Sequence, residues 1–311
     1  MNQIDINEKK EILKALVDNS LRTIVSETAK KARKKIEEPD FIAALSIDFT
    51  KQFYQILKTV FPSIIFSVSS VYCHQKPLAS FTCSTKSTEI GDILFIYRYI
   101  DKYGGEYYNS LLFQAKISQN PILKLDLPND QYTLYSKWPD FTYLRAGYLN
   151  GKKISILPKT ITRGAQYLLI DDHPVLGLSG AFNTFPFGTA LAVNPITIEK
   201  NLSEEIIDFI SFNTGRFFEA DPQTTKDGWT KMIWNLIDIA KTKNSKRKNI
   251  GVKFSRLNLY QLDGYGISPQ EKFSIFTSIN NNNNISPQEI INNEAGGISI
   301  IIIESNYQEF S

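Results

Sequence analysis

Cysteine and histidine are scarce in this chain. Its 311 residues include two cysteines, Cys73 and Cys83, and two histidines, His74 and His173. Two thiols cannot build a disulfide framework, and their spacing with the histidines matches no standard zinc pattern, so buried, inert thiols are the simpler interpretation. The low histidine count also argues against histidine-based nucleases and phosphatases.

Long apolar runs and a strong charge excess are also missing. No apolar run approaches the roughly 20 residues of a membrane span, and charged residues begin at Asp5, which argues against a secretory signal. We therefore expect a cytoplasmic protein with no membrane contact. The net charge of +3 permits nucleic-acid binding without demanding it. Walker and Rossmann phosphate loops and a Gly-x-Ser-x-Gly elbow are absent from the sequence as well.

The most informative stretch is a predicted β-hairpin. Two short runs rich in β-formers, Ile93 to Tyr97 and Leu111 to Ala115, flank a polar turn with two glycines. Because side chains two residues apart in a strand share a face, Gln114 and Lys116 project together, while the residue between them points into the core. Antiparallel pairing brings Asp92 beside them. The sequence therefore predicts that an acid, an amide and an amine meet at one end of the hairpin.

This trio suits metal-assisted chemistry on a phosphate. A hard cation such as Mg²⁺ prefers oxygen ligands and retains waters, so Asp92, the Gln114 side-chain oxygen and a main-chain carbonyl suffice to hold one. The Lys116 ammonium then orients an activated water or stabilises charge that grows on the phosphate oxygens. The alternative is that Asp92 caps a turn and Lys116 is a solvated strand residue.

An acid, a hairpin and then (Asp/Glu/Gln)-x-Lys resembles the core of the PD-(D/E)XK nuclease superfamily. Asp92 corresponds to the aspartate of the motif, Gln114 to its second acidic position and Lys116 to its lysine. The amide of Gln114 departs from the motif's name, although many branches of the superfamily carry glutamine there. The resemblance covers residues 38–117. It implies an α/β (α+β) protein with a restriction-endonuclease-like αβββαβ core, hydrolysis of nucleic acid with Mg²⁺, for which Mn²⁺ substitutes, and a role in bacterial defence against foreign DNA.

The resemblance also implies a glutamate ligand from the helix ahead of the sheet. Glu38 is the first candidate, with Asp40 and Asp48 in reserve, and a capping role for Glu38 is an equal alternative. Glu89, three residues before the motif's aspartate, is a candidate further ligand or a partner of one. His74 is a candidate to line the same cleft, with a turn role as the alternative.

The order of predicted elements agrees with this resemblance. Apolar residues at three- and four-residue steps predict a long amphipathic helix from Glu8 to Lys35. A second helix is predicted to run to about Val60, and a strand from Ser63 to Tyr72 precedes the hairpin. We divide the chain into an N-terminal helical segment (1–37), a nuclease-like core (38–150) and a mixed α+β second half (151–311) that either stands apart or completes the same sheet.

The second half combines short strands with two predicted helices, Ser203 to Phe218 and Asp227 to Lys243. The apolar run from Gly297 to Ile303 predicts a strand that is buried on both faces. Between core and second half, the aromatic segment Gln131 to Tyr143 either packs over the sheet edge or stacks on unpaired bases. The asparagine run 280–284 predicts a loose loop.

Two basic segments, Lys30 to Lys35 and Lys241 to Lys248, are candidate phosphate contacts, each with a solvated surface as the alternative. Within the second, Lys246, Arg247 and Lys248 are the predicted nucleic-acid-binding residues. The predicted function is a Mg²⁺-dependent nuclease that acts on DNA rather than RNA, with target choice supplied by the second half, a protein partner or a homo-oligomer. The alternatives are a non-catalytic nuclease-fold protein that binds nucleic acid or assembles a defence complex and, ranked last, a hydrolase of another class.

Overall fold

The computed structural model describes residues 3–74, 76–82, 84–172, 186–240, 246–252 and 297–306. Within these ranges the chain is a mixed α+β protein built on one mixed β-sheet with helices on both faces. The predictions for Cys83, His173, residues 241–245 and the asparagine run 280–284 lie outside the described residues. Among the described residues, no helix is both long enough and apolar enough to span a membrane.

The helices share an amphipathic pattern, with one apolar side against the sheet. In chain order they are α1 (Gln3–Lys31), α2 (Glu38–Ala44), α3 (Thr50–Val60), α4 (Asp130–Lys137), α5 (Leu202–Ile210) and α6 (Gly228–Ala240). A π-helical turn, Leu45–Phe49, joins α2 to α3, and short 3₁₀ turns occur at Gly147–Leu149 and Lys248–Ile250.

The strands are short except for those that carry the predicted hairpin and the late apolar run. In chain order they are β1 (Ile65–Val71), β2 (Leu78–Phe81), β3 (Thr88–Glu89), β4 (Ile93–Ile100), β5 (Glu106–Ile117), β6 (Ile122–Leu123), β7 (Phe141–Leu144), β8 (Lys153–Ile154), β9 (Ala165–Ile170), β10 (Phe187–Ala190), β11 (Ile196–Thr197), β12 (Lys200–Asn201), β13 (Arg216–Phe217) and β14 (Ser299–Asn306).

The main sheet has the order β1-β14-β4-β5-β9-β10-β12, and β13 pairs with β5. Two of its pairs are parallel, β14 with β4 and β5 with β9, and the others are antiparallel. The connection from β5 to β9 contains α4, as a parallel crossover requires. A smaller sheet of order β3-β2-β7-β8 and the pair β11-β6 lie beside it.

The hairpin prediction is confirmed. β4 and β5 pair antiparallel along their length, with Ile93 opposite Phe113 and Ile100 opposite Glu106. Its turn is held by Asp101, whose carboxylate accepts hydrogen bonds from the amides of Tyr103 at 2.8 Å and Gly105 at 2.7 Å. The register of this pair fixes which residues meet at the open end of the hairpin.

The late apolar run forms the strand that the sequence predicts, with both faces buried. Ile300 and Ile302 belong to one core and Ile301 and Ile303 to the other, all with no exposed surface. The strand lies inside the sheet, between β1 and β4, and separates two elements from the first third of the chain. Strands from both halves therefore share one sheet.

Each face of the sheet has its own hydrophobic core. One face packs against α1 to α3 and α5 through residues such as Phe41, Phe53 and Phe95. The other packs against α4, α6 and the small sheet through residues such as Trp138, Trp229 and Leu112. Burying apolar surface on both faces at about 25 cal/mol per Å² is the main stabilising term of such a layered fold.

The first two predicted helices are present with different ends. The predicted continuation of α1 to Lys35 is wrong, because the helix stops at Lys31. The amide of Ala32 still bonds the carbonyl of Thr28 at 3.0 Å, but the amides of Arg33 and Lys34 donate to Asn249 instead of to the preceding helical turn. The second helix reaches Val60 as predicted.

The aromatic segment after the hairpin packs inside the protein. It forms α4 and β7, and Tyr135, Trp138, Phe141 and Tyr143 are each at most 1% exposed. Rings that are fully buried cannot stack on bases, so of the two interpretations the packing role is correct for these four. Tyr132 is half-buried against the same core.

Candidate functional site

Asp92 lies at the open end of the hairpin, one residue before β4. The pairing of Ile93 with Phe113 places it opposite Gln114. Its amide donates to the carbonyl of Phe113 at 2.8 Å, and its own carbonyl accepts from the amide of Ser299 at 3.2 Å. The backbone of Asp92 is therefore fixed on both sides, by β5 and by β14.

The side chains of Asp92 and Gln114 are in direct contact. Asp92 Oδ2 accepts hydrogen bonds from the amide of Ala115 at 2.7 Å and from Gln114 Nε2. Gln114 is 2% exposed, and its other polar atom, Oε1, has no hydrogen-bond partner among the described residues. Leaving a buried acceptor unsatisfied costs about 1–3 kcal/mol, so this oxygen is a candidate ligand for a cation.

A second carboxylate raises the pKa of Asp92. Burial raises it most, the negative charge of Glu89 adds to the effect, and the pKa reaches about 7. The amide of Ala115 and the ammonium of Lys116 act in the opposite direction. A carboxyl group that is costly to ionise beside another carboxylate gains from a cation that binds both.

A glycine allows this pair of acids to lie close to β5. A Cβ atom on Gly91 would stand 2.6 Å from Leu112 Cδ1 and 3.0 Å from the Tyr135 hydroxyl. The same hydroxyl donates to the carbonyl of Ile90 at 2.9 Å and anchors the segment. Sequence reasoning missed Gly91; its position between two acids, directly before a strand, is the only signal that points to it.

Glu38 lies on the same strand edge as Asp92. It is in the first turn of α2, and its Oε1 makes a long contact of 3.5 Å with the amide of Ile117. Asp92 binds the amide of Ala115, and amides two residues apart along a strand are about 7 Å apart. The two carboxylates therefore follow one another along the end of β5.

The helix cap is Glu37 rather than Glu38. Glu37 and Asp40 form a reciprocal capping box in which the Glu37 amide donates to Asp40 Oδ2 at 2.9 Å. The capping alternative for Glu38 is therefore wrong, which leaves its carboxylate available to the site. Acidic side chains in the first turn also interact favourably with the positive end of the helix dipole.

The two reserve acids have other partners. Asp40 is fully buried and binds Arg247 Nε and Asn249 Nδ2, both short contacts. Burial by itself raises the pKa of Asp40, but the hydrogen bonds from Arg247 and Asn249 outweigh it and lower the pKa. Asp48 pairs with Lys31 at 2.7 Å. Neither acid reaches the hydrogen-bond donors of β5 that Asp92 and Glu38 use.

Lys116 and His74 complete the surroundings of Asp92. Lys116 is half-buried, shares a strand face with Gln114, and acts electrostatically on Asp92. His74 is half-buried, and burial lowers its pKa, opposed by the charges of Glu89 and Glu38 among others.

The predicted phosphate contacts divide into two kinds. Lys246 and Lys248 are exposed. Arg247 departs from the prediction, because its guanidinium binds Glu37 Oε2 at 2.7 Å and Asp40 Oδ1 and is thereby held inside the protein. Burial lowers the pKa of this guanidinium, and the hydrogen bonds that it donates to the two acids more than offset that and raise it. Its role in the fold is to neutralise the start of α2.

The oxygen donors at the site are of mixed type. In the described parts of the chain, no group of three or more histidine, cysteine, aspartate or glutamate side chains is arranged to hold a metal. The hairpin brings the Asp92 carboxylate against the side-chain amide of Gln114. Glu38 contacts the same strand at Ile117, and the charge of Glu89 acts on Asp92. Such a set fits Mg²⁺, which binds through one or two carboxylates and keeps several waters.

Comparison with known proteins does not identify a family for this chain. No family model matches the chain, and no curated protein or solved structure is similar to it.

Proposed function

We propose that this chain is a Mg²⁺-dependent nuclease of PD-(D/E)XK type, in its Gln-x-Lys form, with DNA as the expected substrate. The observation that carries the proposal is the contact between Asp92 and Gln114. The amide nitrogen of Gln114 donates to a carboxylate with a raised pKa, and the buried amide oxygen of the same side chain has no partner among the described residues. An oxygen-lined position of this kind, with an ammonium at hand, is what phosphodiester hydrolysis requires.

The element order supports the same proposal. Among the elements of the main sheet and its helices, the run α2 to α3 precedes β1, β4, β5, α4 and β9, an order compatible with the αβββαβ core that the resemblance implies. The remaining small strands and β14 are additions to this order. Function is nevertheless argued from the site rather than from the order, because one fold hosts many activities.

Three side chains would hold the metal in this chemistry, and three more surround it. Asp92, Gln114 and Glu38 would hold Mg²⁺ or Mn²⁺, which when bound polarises the phosphate and lowers the pKa of its water. Lys116, on the same strand face as Gln114, orients the attacking water or stabilises the negative charge on the phosphate oxygens. Glu89 acts electrostatically on Asp92, and His74 lines the cleft.

One observation favours a second candidate function. Asp92 Oδ2 already accepts two hydrogen bonds, from the Ala115 amide and from Gln114, so part of the carboxylate is satisfied without a cation. A nuclease-fold protein that has lost the metal and binds nucleic acid or assembles a defence complex would use the pair in this way.

Cleavage assays separate the two functions. Supercoiled and linear DNA, single-stranded DNA and RNA are incubated with the protein in Mg²⁺, Mn²⁺ and EDTA, and products are resolved on gels. We expect the protein to cut nucleic acid only when Mg²⁺ or Mn²⁺ is present. We expect the variants Asp92→Ala and Lys116→Ala to lose this activity. The matched controls Asp126→Ala and Lys124→Ala change exposed residues and retain activity. Cutting that continues in EDTA, or in the Asp92→Ala variant, would contradict the proposed metal-dependent nuclease. Binding of nucleic acid without cutting favours the second function.

A further inference from the structure

Asn249 joins two segments of the chain that are more than 200 residues apart. Its Oδ1 accepts from the amides of Arg33 at 3.2 Å and Lys34 at 2.8 Å, and its Nδ2 donates to the carbonyl of Lys35 at 3.3 Å. Its own carbonyl also accepts from the Arg33 amide at 3.0 Å. The two basic segments of the sequence thus meet at one place, where residues 33–35 lie against residues 246–249.

The cations of these segments point to solvent. We call the exposed set Arg33, Lys34, Lys35, Lys246 and Lys248 the basic clasp. Neighbouring cations on α1 are already engaged, since Lys30 pairs with Glu27 at 2.9 Å and Lys31 with Asp48 at 2.7 Å. Within the described ranges, Arg33, Lys34, Lys35 and Lys248 form no ion pair.

The acids nearest to the basic clasp are paired with Arg247. Arg247, which lies between two of its lysines, binds both Glu37 and Asp40. Asn249 also donates to Asp40 at 2.7 Å. These contacts remove two carboxylates that would otherwise compete for the lysines, so the outer surface of the clasp is positive.

The basic clasp lies directly beside the candidate site. Lys35 is three residues before Glu38, a separation of at most about 10 Å along the chain, and Glu38 contacts the end of β5 at Ile117. Double-stranded DNA carries one phosphate per about 3.4 Å on each strand. A duplex cleaved at Asp92 therefore places phosphates a few base pairs away over Arg33 to Lys35.

We propose that the basic clasp is the surface that holds the nucleic-acid backbone next to the cleaved bond. The inference rests on the proposed function for its orientation, and on charge alone for its ligand, a chain of phosphodiesters. Lysine and arginine at this surface neutralise phosphates without reading bases, so the contact is independent of sequence and depends on salt. Arg247 is a positioning residue, which keeps α2 and the clasp together.

Binding in EDTA tests the clasp apart from catalysis. A fluorescein-labelled 30-base-pair duplex, its single strand and the matching RNA are titrated at several KCl concentrations. In the triple variant Lys34→Gln/Lys35→Gln/Lys248→Gln we expect affinity for the duplex to fall at least about tenfold. The slope of log affinity against log salt should become smaller by about 2 to 3. The matched control Lys58→Gln/Lys137→Gln/Lys226→Gln removes the same charge from exposed positions elsewhere and binds like the unaltered protein.

The remaining outcomes distinguish failure of the basic clasp from failure of the nuclease proposal. Unchanged affinity and slope in the triple variant overturn the clasp, as does a protein that binds anionic lipid vesicles but no nucleic acid. Weakened binding in the triple variant, together with no cutting by the unaltered protein in Mg²⁺ or Mn²⁺, keeps the clasp and rejects the nuclease. Cutting with the same KM in the triple variant and the unaltered protein keeps the nuclease and rejects the clasp.

Discussion

At the scale of single residues, the ionised Asp92 carboxylate lowers the stability of the folded protein. Asp92 is held beside Glu89 in a buried position, and its pKa in the folded state lies well above the value of about 3.9 of a free aspartate. The folded state therefore binds the proton more tightly than the unfolded chain. Stability from this group is complete below about pH 4 and is lost as the pH rises through about 7.

Asp92→Asn should therefore stabilise the protein in EDTA, and the gain in the free energy of unfolding should be larger at pH 8 than at pH 5. An asparagine oxygen still accepts the Ala115 amide, but it carries no charge. We expect a gain on the order of 2 kcal/mol at pH 8 that shrinks towards pH 5. Urea denaturation at both pH values measures it, with Asp126→Asn as an exposed control. A gain of equal size at both pH values would contradict the raised pKa.

Gln114→Glu restores the acid of the motif and should make stability depend on metal. The new carboxylate lies against Asp92, so in EDTA the variant should lose about 1–3 kcal/mol. Mg²⁺ should then raise its melting temperature by more than it raises that of the unaltered protein. Thermal unfolding with and without Mg²⁺ is the measurement.

Gln166→Glu is the matched control for that change. Gln166 is 2% exposed and its Nε2 donates to the buried Glu205, so the substitution also sets two carboxylates together, on the neighbouring strand β9 rather than at the open end of the hairpin. We expect a loss of stability that Mg²⁺ does not reverse. Equal rescue of both variants by Mg²⁺ would mean that the hairpin end has no special affinity for the cation.

At the residue scale, alternation along a strand was enough to place three side chains. Asp92, Gln114 and Lys116 could be brought together from the hairpin alone, because the contacts are local in the pairing. The role of Arg247 could not, since its partners Glu37 and Asp40 are about 210 residues away in sequence. Charge in a sequence does not tell whether an arginine is paired inside the fold or faces solvent.

At the scale of elements, the connection between α1 and α2 depends on Asn249. Helical periodicity predicted that α1 continues to Lys35, and the local pattern gave no sign of the side chain that takes over its amides. Conversely, α6 and β14 followed from apolar residues near in sequence, and both are present. Elements set by their own pattern were predictable, whereas an end set by a distant residue was not.

Asn249→Ala should loosen this connection. It removes hydrogen bonds to two amides, one carbonyl and Asp40, and we expect a loss of about 2 kcal/mol in the free energy of unfolding. Limited trypsin digestion should cut first after Arg33, Lys34 or Lys35, and mass spectrometry locates the cuts. Asn120→Ala, which removes a side-chain hydrogen bond in another exposed loop, should leave the order of cuts as it is. An unchanged digestion pattern in Asn249→Ala would show that the connection holds by other contacts.

At the scale of the whole molecule, the first half of the chain lacks the strands that it needs. β14 separates β1 from β4, and β9 covers the other edge of β5. A fragment of residues 1–150 therefore has three strand edges without partners and an open apolar core. We expect it to be unfolded or aggregated, as measured by circular dichroism and size-exclusion chromatography. A folded, monomeric fragment would contradict the shared sheet.

A point substitution tests the same dependence in the full chain. Ile302 has no exposed surface in the centre of β14, and Ile302→Ala should cost about 2–5 kcal/mol. Ile122→Ala, at a residue that is 50% exposed, should cost well under half of that. Similar losses in the two variants would mean that β14 contributes less to the sheet than its position indicates.

The place of β14 also decides when the site can exist during synthesis. The carbonyl of Asp92 accepts the amide of Ser299, so the hairpin end is complete only once that strand has left the ribosome. Until then the backbone of Asp92 lacks one of the two strands that fix it. Under the proposed function, a half-made chain would therefore not yet be able to cut DNA.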